Sequence, residues 1–588
     1  LELDGDRAMN NAAKPAGATL REALDYEPQT LRFGTSGRRG EVVHLSQLEV
    51  YINALAEIEY LQSLPRSAGG ISPGDPFYFA CDLRPSSTAY VAAQGGRGEL
   101  AQAIQRAMTD AGMRPVYLGQ IPTPALTYYA LQQGHGSIMV TGSHIPFDRN
   151  GYKTNSARGE LLKQDEAPIN QRVEQVRRRL YEQPFSASRF DAHGRFKEGH
   201  QELVAETSSA RTAYLKRYTD FFDAGGLRGR KLAVYQHSAV GRDLLVEILA
   251  ALGAEVAPMG RTGHFVPIDT ENIDQERLDE IQSLVVELES QKGPVDAVVS
   301  LDGDSDRPLI LAVEHPGGAP RLRFFGGDLV GMVVAEYLGA DAVVVPISCN
   351  DAIDLGPLRQ ALEPKTRIGS PQVIAGIQKA LAKGKRRVCG WEANGGFLTG
   401  SDLQAGGRTL TALPTRDALL PILGALLAAG ARGLSLSALF DQLPRRFSRA
   451  ALLKQFPRAA SLEIIRRFSP AREGVTEITY DPEPAMKDEN GAVVPAPAAA
   501  LAEACGFKTA LEQVFDFSRG FGPVARINYT DGVRIHFRNG DIAHVRPSGN
   551  ADELRIYAVA DTQARADAVA QMGIQEPDGL LRRLAQNR

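Results

Sequence analysis

Ala297-Val298-Val299-Ser300-Leu301 runs directly into Asp302-Gly303-Asp304-Ser305-Asp306-Arg307. A short apolar run bounded by turn residues reads as a buried strand. The three carboxylates then occupy a tight loop at the rim of a sheet. Acids this close repel one another unless a cation neutralises them, and hard oxygen ligands suit magnesium. Arg307 adds a planar fork of donors that matches phosphate. A cation and an arginine at a strand end point to phosphoryl chemistry. A calcium hand also begins with alternate acids, but needs glycine at its sixth position and glutamate at its twelfth. Arg307 and Val313 stand there. A solvated turn accounts for one Asp and one Gly, not for three acids with an arginine.

Outward from this loop, similar apolar runs recur at Phe77–Cys81, Ser137–Val140, Lys231–Tyr235, Ala342–Val345 and Arg387–Trp391. Helical patterns such as Arg97–Ala111 and Asp243–Leu252 lie between them. This alternation predicts α/β units with largely buried sheets, and such sheets collect ligands at strand ends. After about Ala450 the pattern changes. Val475–Tyr480, Ala525–Tyr529, Val533–Phe537 and Ile542–Val545 read as antiparallel strands, with hairpin turns at Thr530-Asp531-Gly532 and Arg538-Asn539-Gly540. A final α+β domain is expected. Pro495–Ala504 reads as a surface insertion, and Gln164–Glu206 as exposed helices leading out of the first unit.

A length of 588 residues allows about three to five domains. The net charge of −4 and the lack of a long basic run give no reason to expect nucleic acid or a membrane surface as partner. No run reaches the roughly 18 apolar residues of a membrane span. The first 30 or so residues lack the apolar centre of a secretion signal, and residues 1–20 are expected to form a loose arm. Cys81, Cys349, Cys389 and Cys505 lack the paired spacing of a zinc site or disulfide framework. They read as mostly buried thiols in a reducing cytoplasm.

Four more segments carry chemistry. Thr141-Gly142-Ser143-His144-Ile145-Pro146 follows a strand and could hold a serine out toward a cleft, with Lys153 of Asn150-Gly151-Tyr152-Lys153 downstream. It is not a hydrolase elbow, since Ile145 breaks G-x-S-x-G; the plainer reading is a helix cap at Ser143. Phe33-Gly34-Thr35-Ser36-Gly37-Arg38-Arg39-Gly40 could ring a phosphate with backbone N–H groups and two arginines, or be only a turn. In Gly390-Trp391-Glu392-Ala393-Asn394-Gly395-Gly396, Glu392 and Asn394 point the same way if the chain is extended, and suit sugar hydroxyls. Arg546-Pro547-Ser548-Gly549-Asn550, with Arg555 beyond, forms a plausible phosphate grip.

In order along the chain, these segments resemble the α-D-phosphohexomutase superfamily, whose loops read FGTSGxRG, T-x-S-H-x-P, DGDxDR, Glu-x-Ser/Asn-Gly-Gly/His and R-x-S-G-T-E-P. Asp82-Leu83-Arg84-Pro85-Ser86-Ser87 and Pro122-Thr123-Pro124 agree as well. The resemblance covers nearly the whole chain, and its TGSHIP and EANGG variants are most similar to the bacterial phosphomannomutase branch. It departs from the pattern where Ile145 replaces Asn and where Asn550-Ala551-Asp552 replaces Thr-Glu-Pro. The chain is also longer than usual.

The resemblance implies three related α/β domains with mixed sheets plus a C-terminal α+β domain around a central cleft. Their boundaries fall at 1–205, 206–325, 326–445 and 446–588, carrying the phosphoserine, metal, sugar and phosphate loops in turn. It implies Ser143 as phosphoserine and, with Asp302, Asp304 and Asp306, as magnesium ligand. Arg39 and Arg307 would support the reacting phosphate, and Lys153 and His144 are candidate proton carriers. Glu392 and Asn394 would hold sugar hydroxyls. Arg546, Ser548, Gly549, Asn550 and Arg555 would hold the phosphate that is not reacting. The implied reaction interconverts mannose 6-phosphate and mannose 1-phosphate through a hexose 1,6-bisphosphate. Glucose phosphates, singly or with mannose, are the nearest alternative, with a non-catalytic sugar-phosphate binder or a phosphatase beyond them.

Overall fold

The computed structural model describes residues 17–271, 273–547 and 552–586. Three mixed sheets follow one another along the chain. In the first, Pro76–Cys81 pairs in parallel with Arg114–Gln120 and Ser137–Val140. Arg149–Ser156 then returns antiparallel and carries Arg38–Glu41 on its far side. In the second, Lys231–His237 pairs in parallel with Glu255–Arg261 and Ala297–Leu301, and Pro308–Glu314 returns antiparallel. In the third, Ala342–Val344 pairs in parallel with Val388–Trp391, and Phe397–Thr399 returns antiparallel.

The same device therefore recurs three times. A fully buried apolar strand ends, a short loop follows, and the chain comes back beside itself. Val140 faces Tyr152, Leu301 faces Pro308 and Trp391 faces Phe397. Each loop is clamped at both ends by ladder hydrogen bonds, so its side chains have little freedom. The strands read as continuous apolar runs because helices cover both faces. The helix Leu419–Ala431 lies almost wholly buried, and one apolar core runs through all three units.

The last sheet is antiparallel throughout, from Phe447–Lys454 beside Glu553–Ala560 to Val533–Phe537 between its neighbours, and has its own core. Both hairpin turns fall where the sequence places them.

Several local expectations need correction. The first helix pattern begins at Leu100, not Arg97, because Arg97–Gly98 pairs with Tyr90–Val91. Of Gln164–Glu206, only the stretch inside Lys163–Tyr181 is helix. The remainder folds back on the first unit, anchored by buried Phe190 and Phe196, whose rings lie 5.4 and 6.2 Å from that of Tyr51. Aromatics without helical spacing carry that return. Pro495–Ala504 leads into the helix Ala498–Val514, which buries Ala504, Phe507, Leu511 and Val514 at helical spacing, so it is no loose insertion. The arm is tied from Ala18 onward, where Leu20 is fully buried and donates to the Gln183 carbonyl.

Candidate active site

The first two strand-end loops meet. Ser143 Oγ donates to Asp302 Oδ2 at 2.8 Å, although 159 residues separate them. No helix follows Ser143, so it is not a cap. Its φ of 55° is left-handed, a conformation that costs a non-glycine residue about 1–2 kcal/mol. Two neighbours hold it there. Ser143 N donates to Thr141 Oγ1, and the Arg84 guanidinium donates to the carbonyls of Ser143, Ile145, Pro146 and Arg149. Asp82 in turn accepts from Thr141 Oγ1, Ser87 Oγ and Arg84 N. Gly303 is obligatory here, because a Cβ would stand 2.6 Å from the Ser143 carbonyl.

The acidic loop is buried, and ligand atoms of Asp302, Asp304 and Asp306 all lie within 4.8 Å of one another. Asp302 Oδ1 accepts from the N–H groups of Asp306 and Arg307, which fixes the turn. Asp304 Oδ2 accepts from Thr123 Oγ1 and from Lys153 Nζ at 2.6 Å. Asp306 Oδ2 accepts from Lys153 Nζ at 2.6 Å and from Arg416 Nε and Nη2. Burial, then the charges of Asp304 and Asp306, push Asp302 well above the ordinary carboxylate range. Burial pushes Asp306 up as well, but Arg416, Lys153 and Arg307 overcome it and hold it below that range. Two buried oxygens, Asp304 Oδ1 and Asp306 Oδ1, have no hydrogen-bond partner among the described residues. Three crowded carboxylates with orphaned oxygens fit a hard divalent metal ion.

Cations ring this centre. Among the described residues Arg39 Nε and Nη2 and Arg307 Nε are buried without hydrogen-bond partners, Arg307 Nε standing 3.9 Å from Asp302 Oδ2 and 3.7 Å from Asp306 Oδ1. Burial pushes Arg39 down to about 10, with Arg307 and Arg416 acting the same way and Asp304 and Asp306 opposing. Unsatisfied guanidinium donors beside a serine hydroxyl suit an incoming phosphate. The other arginine of that loop, Arg38, turns inward to Glu57, Leu31 O and Asn170 instead, so its role is structural. His144 Nδ1 lies 3.4 Å from Ser143 Oγ. Burial, then Arg307 and Arg39, keep this imidazole neutral, far below its ordinary pKa. Lys153, in contrast, is spent as the partner of two aspartates.

The third loop reaches the second through Arg416, whose Nη1 donates to Glu392 Oε2 at 3.0 Å. Its chain turns at Ala393-Asn394 rather than running extended, so Glu392 and Asn394 do not share a face by alternation. Asn394 Oδ1 accepts from Gly396 N and braces its own turn, while its carbonyl accepts from Thr270 Oγ1.

On the last sheet, Arg546 and Arg555 face each other across neighbouring strands. Arg546 Nε donates to Asp531 Oδ1, and Asp531 Oδ2 accepts from Ile368 N of the third unit. Arg555 Nε is buried and makes no hydrogen bond among the described residues. Arg555 and Arg307 both act on Glu271, which burial, then Asp269, push up to about 7. Ser548, Gly549 and Asn550 lie outside the described residues. Sequence reading assigns no role to Arg84, Thr123, Glu271, Arg416 or Asp531. Arg84 and Thr123 do fall in the quoted DLRPSS and PTP segments.

Comparison with known proteins gives the chain's relatives. The family described as Phosphoglucomutase/phosphomannomutase matches twice, its alpha/beta/alpha domain I over residues 30–179 and its C-terminal domain over residues 487–575. The chain is 34% identical to a phosphomannomutase of Sinorhizobium fredii over 92% of its own length and 98% of the relative's. It is 35% identical to a phosphomannomutase of Salmonella muenchen, covering 91% of this chain and 93% of that one. In fold it is similar to a phosphoglucomutase/phosphomannomutase family protein of Burkholderia thailandensis. The TM-score is 0.59 at 17% identity, over 94% of this chain and 97% of the other.

Proposed function

The chain belongs to the phosphoglucomutase/phosphomannomutase family and is an isomerase by phosphoryl transfer, and from that premise we propose that it interconverts mannose 6-phosphate and mannose 1-phosphate. One observation carries the proposal. Ser143 Oγ lies on Asp302, among orphaned acceptors of Asp304 and Asp306 and orphaned donors of Arg39 and Arg307. A phosphoryl group on Ser143 satisfies those donors, and a cation satisfies those acceptors.

In this reading phosphate rides on Ser143 Oγ. The O–P bond to serine breaks as a sugar hydroxyl bonds to phosphorus, and His144, whose Nδ1 lies 3.4 Å from Ser143 Oγ, is the candidate base for the hydroxyl proton. The sugar is then a 1,6-bisphosphate. After it turns in the cleft, Ser143 Oγ bonds to its other phosphorus as that sugar O–P bond breaks, and the freed sugar oxygen takes back the proton. Asp302, Asp304 and Asp306, with the serine phosphate, would hold magnesium, which supplies charge neutralisation during transfer. Arg39 and Arg307 hold the reacting phosphate, Glu392 and the Asn394 turn face the sugar, and Arg546 and Arg555 hold the far phosphate. The domain boundaries 1–205, 206–325, 326–445 and 446–588 assign one loop to each unit, with the last serving as lid.

No helix among the described residues is long and apolar enough to cross a membrane. The free thiols Cys81, Cys349 and Cys389 are buried and Cys505 is exposed; a reducing cytoplasm suits them.

The test is conversion of mannose 1-phosphate, and separately glucose 1-phosphate, with a trace of hexose 1,6-bisphosphate and magnesium. Sugar 6-phosphate is the expected product, with kcat/KM favouring mannose. A higher kcat/KM on the glucose substrate moves the specificity to glucose. Binding without turnover, or inorganic phosphate as main product, overturns the mutase reading.

A further inference from the structure

Arg416 stands in the strand Leu413–Asp417, beyond every segment that the sequence singles out. Its neighbours Thr415 and Asp417 face the other way along the strand, where they meet Glu160 and the hydroxyls of Tyr214 and Tyr218. Arg416 points between the acidic loop and the Glu392 loop, and it is 2% exposed. Its Nε and Nη2 both donate to Asp306 Oδ2, at 3.0 and 2.8 Å, and its Nη1 donates to Glu392 Oε2 at 3.0 Å. The planar fork thus spans two carboxylates from two different sheets. A lysine ammonium lacks that fork. Gly396 makes room for the stem, since a Cβ there would stand 2.5 Å from Arg416 Cδ.

The consequences reach both loops. Asp306 Oδ2 is filled by Lys153 and Arg416, which leaves Oδ1, with Arg307 Nε 3.7 Å away, to face a metal ion. Glu392 has one oxygen engaged, and its Oε1 makes no hydrogen bond among the described residues.

We propose that Arg416 is a positioning residue that fixes the sugar-facing carboxylate Glu392 at a set distance from the metal-side carboxylate Asp306. The inference rests on the mutase reading. In that reading the sugar is presented to Ser143 in two orientations, and both need the hydroxyl-binding loop held in one place relative to the phosphoryl centre. A displacement near 1 Å in such a contact costs about 100-fold in rate.

The experiment is a double-mutant cycle of Arg416→Met and Glu392→Ala, with Arg416→Lys alongside. Readouts are kcat and KM for mannose 1-phosphate, thermal unfolding, and Mn2+ affinity by electron paramagnetic resonance without sugar. R416M is expected to lower kcat/KM about 100-fold, and R416K to recover only part of that loss. Mn2+ affinity should hold or tighten, because a cation leaves the site. In the E392A background the R416M effect should shrink to less than about tenfold, the mark of residues that act together. Wild-type kinetics in R416M, full additivity in the cycle, or recovery of all activity at saturating Mn2+ overturns the proposal. If R416M does not fold, R416K and R416K/E392A run the same cycle. No turnover by the wild-type protein strikes the mutase reading itself, whereas an active wild type with a normal R416M strikes this proposal alone.

Discussion

Arg84→Met removes a guanidinium while keeping much of the stem's volume. The carbonyls of Ser143, Ile145, Pro146 and Arg149 then lose donors at 3.0, 2.5, 2.7 and 2.8 Å. A hydrogen bond from a charged donor contributes about 1.5–3 kcal/mol. Exposed Pro146 and half-buried Ile145 and Arg149 can recruit water, but the buried Ser143 carbonyl cannot. That inner bond therefore sets the loss at about 1.5–3 kcal/mol. This is at least as large as the roughly 1–2 kcal/mol of left-handed strain at Ser143 that the clamp must hold down. Without it the serine loop relaxes, and Ser143 Oγ leaves Asp302. Buried Asp82 also loses the cation 3.4 Å away, which adds a cost to folding of the first unit. Initial rates with mannose 1-phosphate should show kcat/KM lower by about 10²–10³, and circular dichroism an earlier first unfolding transition. Arg84→Lys should fall between. A folded R84M protein with wild-type kcat/KM would refute the claim that this clamp positions the nucleophile.

Ser143→Ala should cut mutase turnover by at least about 10³-fold with thermal unfolding nearly unchanged; wild-type rates in that variant exclude Ser143 as phosphate carrier. Asp304→Asn should weaken Mn2+ binding at least about tenfold, measured by electron paramagnetic resonance; unchanged affinity removes Asp304 from the metal site. Glu271 tests the approach of the last unit. Its pKa rises from an ordinary 4.5 to about 7, through burial first, then Asp269 and Glu392, against Arg555 and Arg307, with Tyr557 close by. A folded-state value above the unfolded one means a stabilisation that is full below 4.5 and lost as pH rises through about 7. Glu271→Gln keeps the neutral form, so the two proteins should melt alike near pH 5 and the variant should melt higher near pH 8. Equal midpoints at both pH values rule out this burial.

Legibility followed locality. Ala297–Leu301 and Asp302 to Arg307 are contiguous, so strand, loop and ligand set could be read together, and the loops at Ser143 and Glu392 repeat that arrangement. Chemistry carried on a strand-end loop is compressed into a few residues, and the sheet supplies the rest of the geometry. Beyond the helix Lys163–Tyr181, charge density hides the path of Gln164–Glu206, which two aromatic anchors, Phe190 and Phe196, decide. Arg416 was illegible for a deeper reason. Its partners lie 110 residues upstream at Asp306 and 24 upstream at Glu392. Nothing in Leu413-Pro414-Thr415-Arg416-Asp417 separates a cleft arginine from a surface one until three sheets are packed. Loops of this kind present the reacting groups, while the side chains that fix one loop against another come from wherever the packed core lets a long stem through. Arg84, under the serine loop, and Arg416, between the acidic and sugar-facing loops, are both fully buried guanidinium groups in that second class. Arg84 donates to four carbonyls along one loop and Arg416 to carboxylates on two, which a planar fork can do and a single ammonium cannot. On the proposed reading the reacting residues are encoded locally and their alignment by two arginines, so conservative lysine replacements at Arg84 and Arg416 should damage catalysis far more than charge alone predicts.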